Sequence, residues 1–296
     1  MAASIDALLM TTSRTFALAI PLLPEPTKRS TCIAYLLFRI ADTLEDAELW
    51  PRRARVEALS GFGAVLGDTV ASADDLSSRW LEQPPTRDRA CLELLRAMPR
   101  VLSELRGLDP ATQAIVLHHA RRTAQGMRET VASMDDSGAL RLASIEALRS
   151  YCYVVAGIVG ELLPALFVHD APSLQSVRSV LVEHQAAFGE GLQLVNILKD
   201  QSVDAGAGRA YLPASVPRAE ILALARADMG RAREYIGALE RGRAPNGFVA
   251  FTSLSVDLAD ATLDRIEVEG AGAKVPRSAV MQMLARVTER MVSHRA

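Results

Sequence analysis

The sequence predicts an all-α protein. Apolar residues recur at helical spacing along most of the 296 residues, and the alternation of apolar and polar residues that marks half-buried strands is scarce. Long helices are expected at 87–106, 110–134, 145–168, 173–203 and 218–240. The segments 82–88 and 204–217 are expected to connect helices, and 67–79 is expected to be a turn.

Composition favours a single domain over residues 1–296. No linker rich in Pro, Gly or Ser separates two parts of the chain, and an apolar content of 49% is ample for a core and an apolar cavity. A net charge of −2 gives no support to nucleic-acid binding. We expect no nucleic-acid partner and a monomeric chain.

The cysteines and the N-terminus indicate a cytoplasmic protein. Cys32, Cys91 and Cys152 lack the spacing of a zinc site, and two of them lie in apolar helical runs, as reduced buried thiols do. The N-terminus lacks the basic and apolar regions of a signal peptide. The apolar stretch 151–168 is interrupted by Glu161 and Pro164, so it is expected to be a buried helix rather than a membrane anchor.

Two aspartate pairs carry the chemical signal of this sequence. Asp42 with Asp46, and Asp200 with Asp204, are each spaced i, i+4 and would lie on one face of a helix. Like charges at this spacing cost a helix ~0.2–0.5 kcal/mol, which a divalent cation such as Mg²⁺ would offset. A third pair, Asp260 and Asp264, shows that spacing alone is weak evidence.

The first pair ends a polar stripe on an apolar helix. In STCIAYLLFRIADTLEDAE, the residues Tyr35, Arg39, Asp42 and Asp46 follow one another at steps of 4, 3 and 4. A helix that is apolar on all other faces is buried, and buried charges are costly unless paired or metal-bound. An internal salt bridge between Arg39 and Asp42 is the simpler alternative, but it leaves Asp46 and Glu45 unexplained unless they reach solvent.

The second pair ends a similar stripe. Gln193, Asn196, Asp200 and Asp204 step by 3, 4 and 4 along LQLVNILKDQSVDAG, after which two glycines end the helix. The third aspartate pair lies among scattered acids without accompanying amides. We interpret that third pair as a solvated face.

Four sequence blocks resemble the squalene/phytoene synthases, which are head-to-head prenyl transferases. The blocks are SRTFALAIPLLP from Ser13, AYLLFRIADTLED, YCYVVAGIVGELL from Tyr151, and LQLVNILKDQSVDAGAGRAYLP. They span roughly residues 10–215 in the family's order. The resemblance implies an isoprenoid-synthase helical bundle with a central apolar cavity.

The resemblance also implies roles for individual residues. Catalytic residues would be Tyr35, Arg39, Tyr151 and Tyr211. Substrate would be held by Ser13, Arg14, Phe16, Val155, Val159, Gln193, Asn196, Lys199 and Arg209. Ligands of Mg²⁺ would be Asp42, Asp46, Asp200 and Asp204, and Gly157 and Gly160 would help to shape a tunnel for the prenyl chains.

Within the family the blocks are similar to the squalene synthase type, which typically has Thr after the first Asp of the DTLED motif. Lys199 stands where the family usually has Arg, which removes a bidentate fork but keeps the charge. The expected reaction joins two farnesyl diphosphates through presqualene diphosphate to squalene or a related thirty-carbon product, with Mg²⁺ and NADPH.

Alternatives remain open. The product could instead be phytoene, dehydrosqualene or presqualene diphosphate. A non-catalytic assembly factor of the same fold, or a helical scaffold whose stripes are internal salt bridges, are further readings. An apolar product would suit peripheral contact with a membrane.

Overall fold

The computed structural model describes residues 4–67, 72–135 and 138–293, and these are almost entirely helical. The helices are α1 (Ile5–Thr12), α2 (Phe16–Ala19), α3 (Thr27–Glu45), α4 (Arg52–Val65), α5 (Ala73–Glu82), α6 (Arg89–Arg106), α7 (Pro110–Ser133), α8 (Ile145–Cys152), α9 (Ile158–Asp170), α10 (Arg178–Gly206), α11 (Arg218–Arg241), α12 (Asn246–Glu269) and α13 (Arg277–Ser293). The all-α prediction is confirmed.

Shorter elements connect some of these helices. Ile20–Leu22 and Pro172–Val177 are 3₁₀ helices, and Tyr153–Gly157 is a π-helix between α8 and α9. Two-residue strands β1 (Leu140–Arg141) and β2 (Arg209–Ala210) pair in parallel. The expected helix 145–168 is therefore interrupted by a π turn, a feature often found at functional sites.

The chain is divided into two compact units. The first contains Met1–Ala17 and Arg29–Gly138, and the second contains Leu18–Lys28 and Ala139–Ala296. The single domain expected from composition stays a prediction.

In the first unit, α4 packs against α7, and α6 packs against both α1 and α5. Helix α6 begins where the Asp88 side chain accepts hydrogen bonds from the amides of Ala90 and Cys91. This cap satisfies donors that an uncapped helix end would leave unpaired. The buried face of α6 consists of Cys91, Leu94, Leu95, Met98, Val101, Leu102 and Leu105.

The prediction of a turn at 67–79 is wrong from Ala73 onward, where α5 begins. Trp80 is buried, and the Ser77 hydroxyl donates a hydrogen bond of 2.8 Å to the Leu95 carbonyl. Acidic residues in the first turn of α5 and Arg79 in its last turn suit the helix dipole. Residues 68–71, which also belong to the expected turn, lie outside the described residues.

In the second unit, α10 packs against α8, α9, α11, α12 and the π-helix. Glycines allow this contact to be close. A Cβ added at Gly160 would lie 2.0 Å from the carbonyl oxygen of Gln185, and one at Gly189 would lie 1.9 Å from that of Ala156. Gly160 is therefore explained by backbone packing against α10, whereas a Cβ at Gly157 would meet the side chains of Tyr153 and Glu190.

Helix α10 ends close to the expected position. Its last residue is Gly206, and Gly208 has a φ of +76°, a conformation that favours glycine. Pairing of Leu140 with Arg209 then fixes the chain after the helix. The sequence signal for the end of α10 is thereby confirmed.

The three cysteines are free and buried, as expected. The stretch Ile145–Asp170 has the length and apolarity of a membrane span, and 56% of its most apolar window is buried inside the protein. Burial of that degree also suits a core helix, which is the role that the sequence predicts.

Replacing Gly160 with Ala should destabilise the protein because the new methyl group would collide with a backbone carbonyl of α10. Overpacking of this kind costs about 1–3 kcal/mol. Gly230→Ala in α11 is the matched control, since a Cβ there meets nothing within 4 Å and should stabilise by ~0.5–1 kcal/mol. Urea denaturation measures both. Equal free energies of unfolding for the two variants would contradict the close helix contact.

Candidate active site

The first polar stripe is visible in the burial pattern of α3. From Ser30 to Ala47 every residue is buried except Tyr35, Arg39, Asp42 and Asp46, which are half-exposed. Asp46 follows the last helical residue, yet its amide still donates to the Asp42 carbonyl at 2.8 Å. The stripe that the sequence predicts is confirmed at these four positions.

Arg39 and Asp42 form an ion pair on this stripe. The charge of Asp42 raises the pKa of the Arg39 guanidinium. The Nη2 atom of Arg39 lies 3.7 Å from the Cys91 Sγ, and its buried Nε has no hydrogen-bond partner among the described residues. The salt-bridge alternative therefore accounts for Asp42, while one donor of Arg39 is still unused.

Glu45 lies off the stripe. It is 3% exposed, and its backbone carbonyl accepts a hydrogen bond from the buried Arg55 guanidinium. This glutamate has therefore not reached solvent, and it does not extend the half-exposed face that contains Asp46.

Tyr35 is tied to the segment that precedes it in sequence. Its hydroxyl donates a hydrogen bond of 2.8 Å to the Thr12 carbonyl, and its ring centroid lies 5.6 Å from that of Phe16. Burial raises the pKa of Tyr35. The Ser13 hydroxyl accepts from the Phe16 amide at 2.9 Å, so Ser13 and Phe16 share a local site with Tyr35, while Arg14 is exposed.

The second stripe lies on α10 between buried residues. Gln193, Asp200 and Asp204 are half-exposed and Asn196 is exposed, whereas the intervening Leu194, Val195, Ile197 and Leu198 are buried. The pattern again agrees with the sequence prediction. The two amides thus lie on a largely buried stretch of α10, whereas Asp200 and Asp204 lie where the helix becomes accessible on other faces as well.

Lys199 contacts the stripe from its side. Its Nζ lies 3.1 Å from Asp200 Oδ2 and 3.4 Å from Asn196 Oδ1. Because the Asp200 side chain is 45% exposed, this ion pair contributes little to stability. Lys199 thus places a cation beside Asp200, and its backbone carbonyl accepts a hydrogen bond from the Gly272 amide at 2.7 Å.

Asp204 faces a small pocket of about 100 Å³. Ile197, Gln201, Asp204, Ala205, Arg209, Ala210, Tyr211 and Leu212 line it. Burial raises the pKa of Asp204, the charge of Asp200 raises it further, and the charges of Arg209 and Lys199 oppose the shift. Three residues of the predicted site, Asp204, Arg209 and Tyr211, therefore share one cavity.

Tyr151 and Tyr211 form a buried pair. Their rings stack with centroids 4.7 Å apart and an interplanar angle of 26°, and the Tyr151 hydroxyl donates to that of Tyr211 at 3.1 Å. Val155 and Val159, which the resemblance assigns to substrate, are half-exposed on the π-helix and α9. The second unit therefore combines two phenol groups with apolar side chains near the α10 stripe.

The donor set of each stripe fits a hard divalent cation. Each unit supplies two carboxylates one helical turn apart, and carboxylate oxygens are ligands that Mg²⁺ prefers. Among the described residues, no group of three or more His, Cys, Asp or Glu side chains is arranged to hold a metal ion. Each pair by itself would therefore leave most coordination positions to water or to a phosphate ligand.

The third aspartate pair differs from the other two. Arg226 lies 3.5 Å from Asp260 and 2.5 Å from Asp264, and Arg233 lies 2.7 Å from Asp260. These ion pairs join α11 and α12. The interpretation of this third pair as a solvated face is supported at Asp264, whose side chain is 69% exposed, but not at Asp260, which is 21% exposed.

Sequence reasoning missed one charged cluster near the site. Glu190 is buried inside the glycine-rich run AAFGEGL, and the Arg149 guanidinium lies 2.8 Å from it. An acid between two glycines on an apolar helix is a signal that it needs a buried partner. The partner itself is 41 residues away in sequence, so no local pattern identifies it.

The family described as squalene/phytoene synthase matches residues 9–220. Squalene synthase of Yarrowia lipolytica is 29% identical over 213 residues, which cover 69% of this chain and 43% of that protein. Squalene synthase of Homo sapiens is 30% identical over 209 residues, which cover 69% of this chain and 45% of that protein. The chain thus spans about half the length, or less, of these curated relatives.

Solved structures share the fold. TcSQS with the ligand BPH1237 superposes with a TM-score of 0.73 at 23% identity, covering 98% of this chain and 90% of that one. A dehydrosqualene synthase in complex with a ligand gives a TM-score of 0.57 at 20% identity, covering 98% and 95%. At these identities the likeness concerns the fold alone.

Replacing Asp204 with Asn should slightly stabilise the metal-free protein at pH 7. The change removes a like charge beside Asp200 and a partly buried carboxylate, a gain of ~0.2–0.5 kcal/mol. Thermal unfolding in EDTA measures it, with Asp264→Asn as the control because Arg226 pairs with that carboxylate. A loss of stability in Asp204→Asn larger than in the control would indicate a structural carboxylate.

Proposed function

The chain belongs to the squalene/phytoene synthase family, and from this premise we propose that it joins two farnesyl diphosphates head to head. The reaction would pass through presqualene diphosphate to squalene or a related thirty-carbon product. The proposal assigns residues 1–296 to one catalytic domain and both aspartate pairs to the same substrate. We also propose that the catalytic domain contains a central apolar cavity.

The observation that carries the proposal is the α3 stripe. Four half-exposed polar residues interrupt a run that is otherwise buried from Ser30 to Ala47, and two of them are carboxylates. Desolvating carboxylates costs several kcal/mol unless they are paired or metal-bound. A protein that needed only a stable helix would gain more from apolar residues at these positions.

Metal ions are expected at the two aspartate pairs. Asp42, Asp46, Asp200 and Asp204 would hold Mg²⁺, which when bound supplies Lewis-acid neutralisation of the diphosphate leaving group. The half-exposed carboxylates of both stripes support this assignment.

Cationic side chains would grip the diphosphate oxygens. Arg39 retains an unused Nε donor beside Asp42, Arg209 lines the pocket with Asp204, and Lys199 lies at the α10 stripe. Such groups form charge-assisted hydrogen bonds with phosphate oxygens. Ser13, Arg14, Gln193 and Asn196 complete the proposed set of polar contacts.

Aromatic and aliphatic side chains would surround the reacting carbons. Burial keeps the Tyr35 phenol protonated, so it is a neutral hydrogen-bond donor at neutral pH. The stacked Tyr151 and Tyr211 hold their hydroxyls in a fixed place. Together with Phe16, Val155 and Val159, these residues would exclude water from a carbocation, which water would otherwise quench.

Squalene formation requires a reductant, and we propose NADPH as its source. Without a hydride donor the same first step would end at presqualene diphosphate or dehydrosqualene, and a longer substrate would give phytoene. The squalene synthases among the relatives favour squalene as the product.

We propose a cytoplasmic monomer with peripheral contact to a membrane, which would receive an apolar product. The apolar stretch Ile145–Asp170 is over half buried in its most apolar window, which favours a core role for it. A non-catalytic assembly factor is the less favoured alternative because both aspartate pairs are present.

Incubation with farnesyl diphosphate and Mg²⁺, with and without NADPH, tests the proposed reaction. Mass spectrometry of the extracted products should show squalene only with NADPH. Dehydrosqualene or presqualene diphosphate in both arms would instead support the alternatives. No product from farnesyl or geranylgeranyl diphosphate would refute catalysis.

Asp42→Asn and Asp200→Asn should each lower turnover by at least about a hundredfold, as expected when transition-state charge stabilisation is lost. Both variants should keep the helical circular dichroism of the parent protein. Asp264→Asn is the matched control, because that carboxylate is paired with Arg226 and belongs to neither stripe, and its turnover should be unchanged. The helical-scaffold alternative expects the reverse, with lost folding and little change in rate.

A further inference from the structure

Two buried carboxylates and two partly exposed guanidinium groups form a charged cluster within the second unit. Arg149 on α8 places Nη2 2.8 Å from Glu190 Oε2 and Nη1 3.2 Å from Asp228 Oδ2. Arg231 places Nη1 3.0 Å from Asp228 Oδ1. Two guanidinium groups thus face two carboxylates, and the contacts join α8, α10 and α11.

The carboxylates of this cluster depend on their cations. Asp228 is 0% exposed and Glu190 is 6% exposed. Burial raises the pKa of both carboxyls, while the charge of Arg149 lowers it. Glu190 Oε2 is also without an aligned hydrogen bond, so Arg149 is held to it as an ion pair. Removing one partner of such a cluster leaves a charge without compensation, which is costly.

One member of the cluster, Arg149, lies close in sequence to Tyr151 of the tyrosine pair. Arg149 precedes Tyr151 by two residues, and its backbone carbonyl accepts from the Tyr153 amide where the π-helix begins. At the last residue of the π-helix, Gly157 lies against the same Glu190 side chain. Contacts with α10 therefore hold the chain before the π-helix and at its end, and Tyr151 lies two residues before its first residue.

We propose that Arg149 is a positioning residue, which holds the Tyr151 ring against Tyr211 through its ion pairs with Glu190 and Asp228. Its partners Glu190 and Asp228 lie on α10 and α11, so these two helices determine the orientation of α8 at Tyr151. Arg231 binds the same Asp228 but lies on α11, away from Tyr151 in the chain. The kinetic part of this inference rests on the proposed function.

A fluorine label tests the positioning without requiring any activity. The protein is labelled uniformly with 3-fluorotyrosine, and the resonance of Tyr151 is assigned by its absence in Tyr151→Phe. Arg149→Met should shift or broaden this resonance, and Arg149→Lys should shift it less. Arg231→Met is the matched control, since it removes the other guanidinium from Asp228 and should leave the resonance in place. Equal changes in the two methionine variants would overturn the proposal.

Kinetics with farnesyl diphosphate supply the second readout. Arg149→Met should lower kcat by roughly ten- to a hundredfold with KM little changed, because misplaced groups act on the reacting step. Arg231→Met should stay within twofold of the parent. The loss in Arg149→Met should shrink in a Tyr151→Phe background, since coupled residues are not additive. Full additivity would overturn the proposal. A parent protein without turnover refutes the proposed function, and the fluorine resonance then decides the positioning alone.

Discussion

A charge on a buried helix is stable only beside a partner, and this constraint governs α3 and α10. Helix α3 is buried along its central run and leaves one line of polar side chains accessible, whereas α10 is largely buried up to Leu198 and accessible from Lys199 onward. Arg39 forms an ion pair with Asp42 on the first line, and Lys199 lies beside Asp200 on the second. Burial of the residues around Asp42 holds the backbone of the first line in place, and electrostatic catalysis depends on preorganisation of this kind.

Close packing fixes α10 on the N-terminal side of the second stripe. Gly160 and Gly189 let two backbones meet at a distance that any side chain would prevent, and Glu190 beside them is paired with Arg149. The same contacts hold the chain around Tyr151. Packing and electrostatics therefore act on the same short region, in which apolar side chains and one stacked tyrosine pair lie close to the polar line.

Patterns repeated along one helix could be predicted from the sequence, whereas contacts between helices could not. The stripe at Tyr35, Arg39, Asp42 and Asp46 follows from helical spacing, and the buried state of their neighbours follows from composition. Helix α5 could not be predicted from an apolar pattern, because the segment is mostly polar and Trp80 is its one large buried residue. Only the charges at its two ends suited a helix. Arg149 pairs with residues 41 and 79 positions away in sequence, a relation that depends on tertiary structure.

The most direct test of the account is the stabilisation of the protein by inorganic pyrophosphate together with Mg²⁺, measured by thermal unfolding. We expect a rise in Tm that needs both ligands, because a ligand that binds only the folded state stabilises it. Asp42→Asn and Asp200→Asn should each lose that rise while their Tm without ligand stays close to the parent value. No rise in the parent protein, together with a much lower Tm in both variants, would show that the carboxylates serve folding instead.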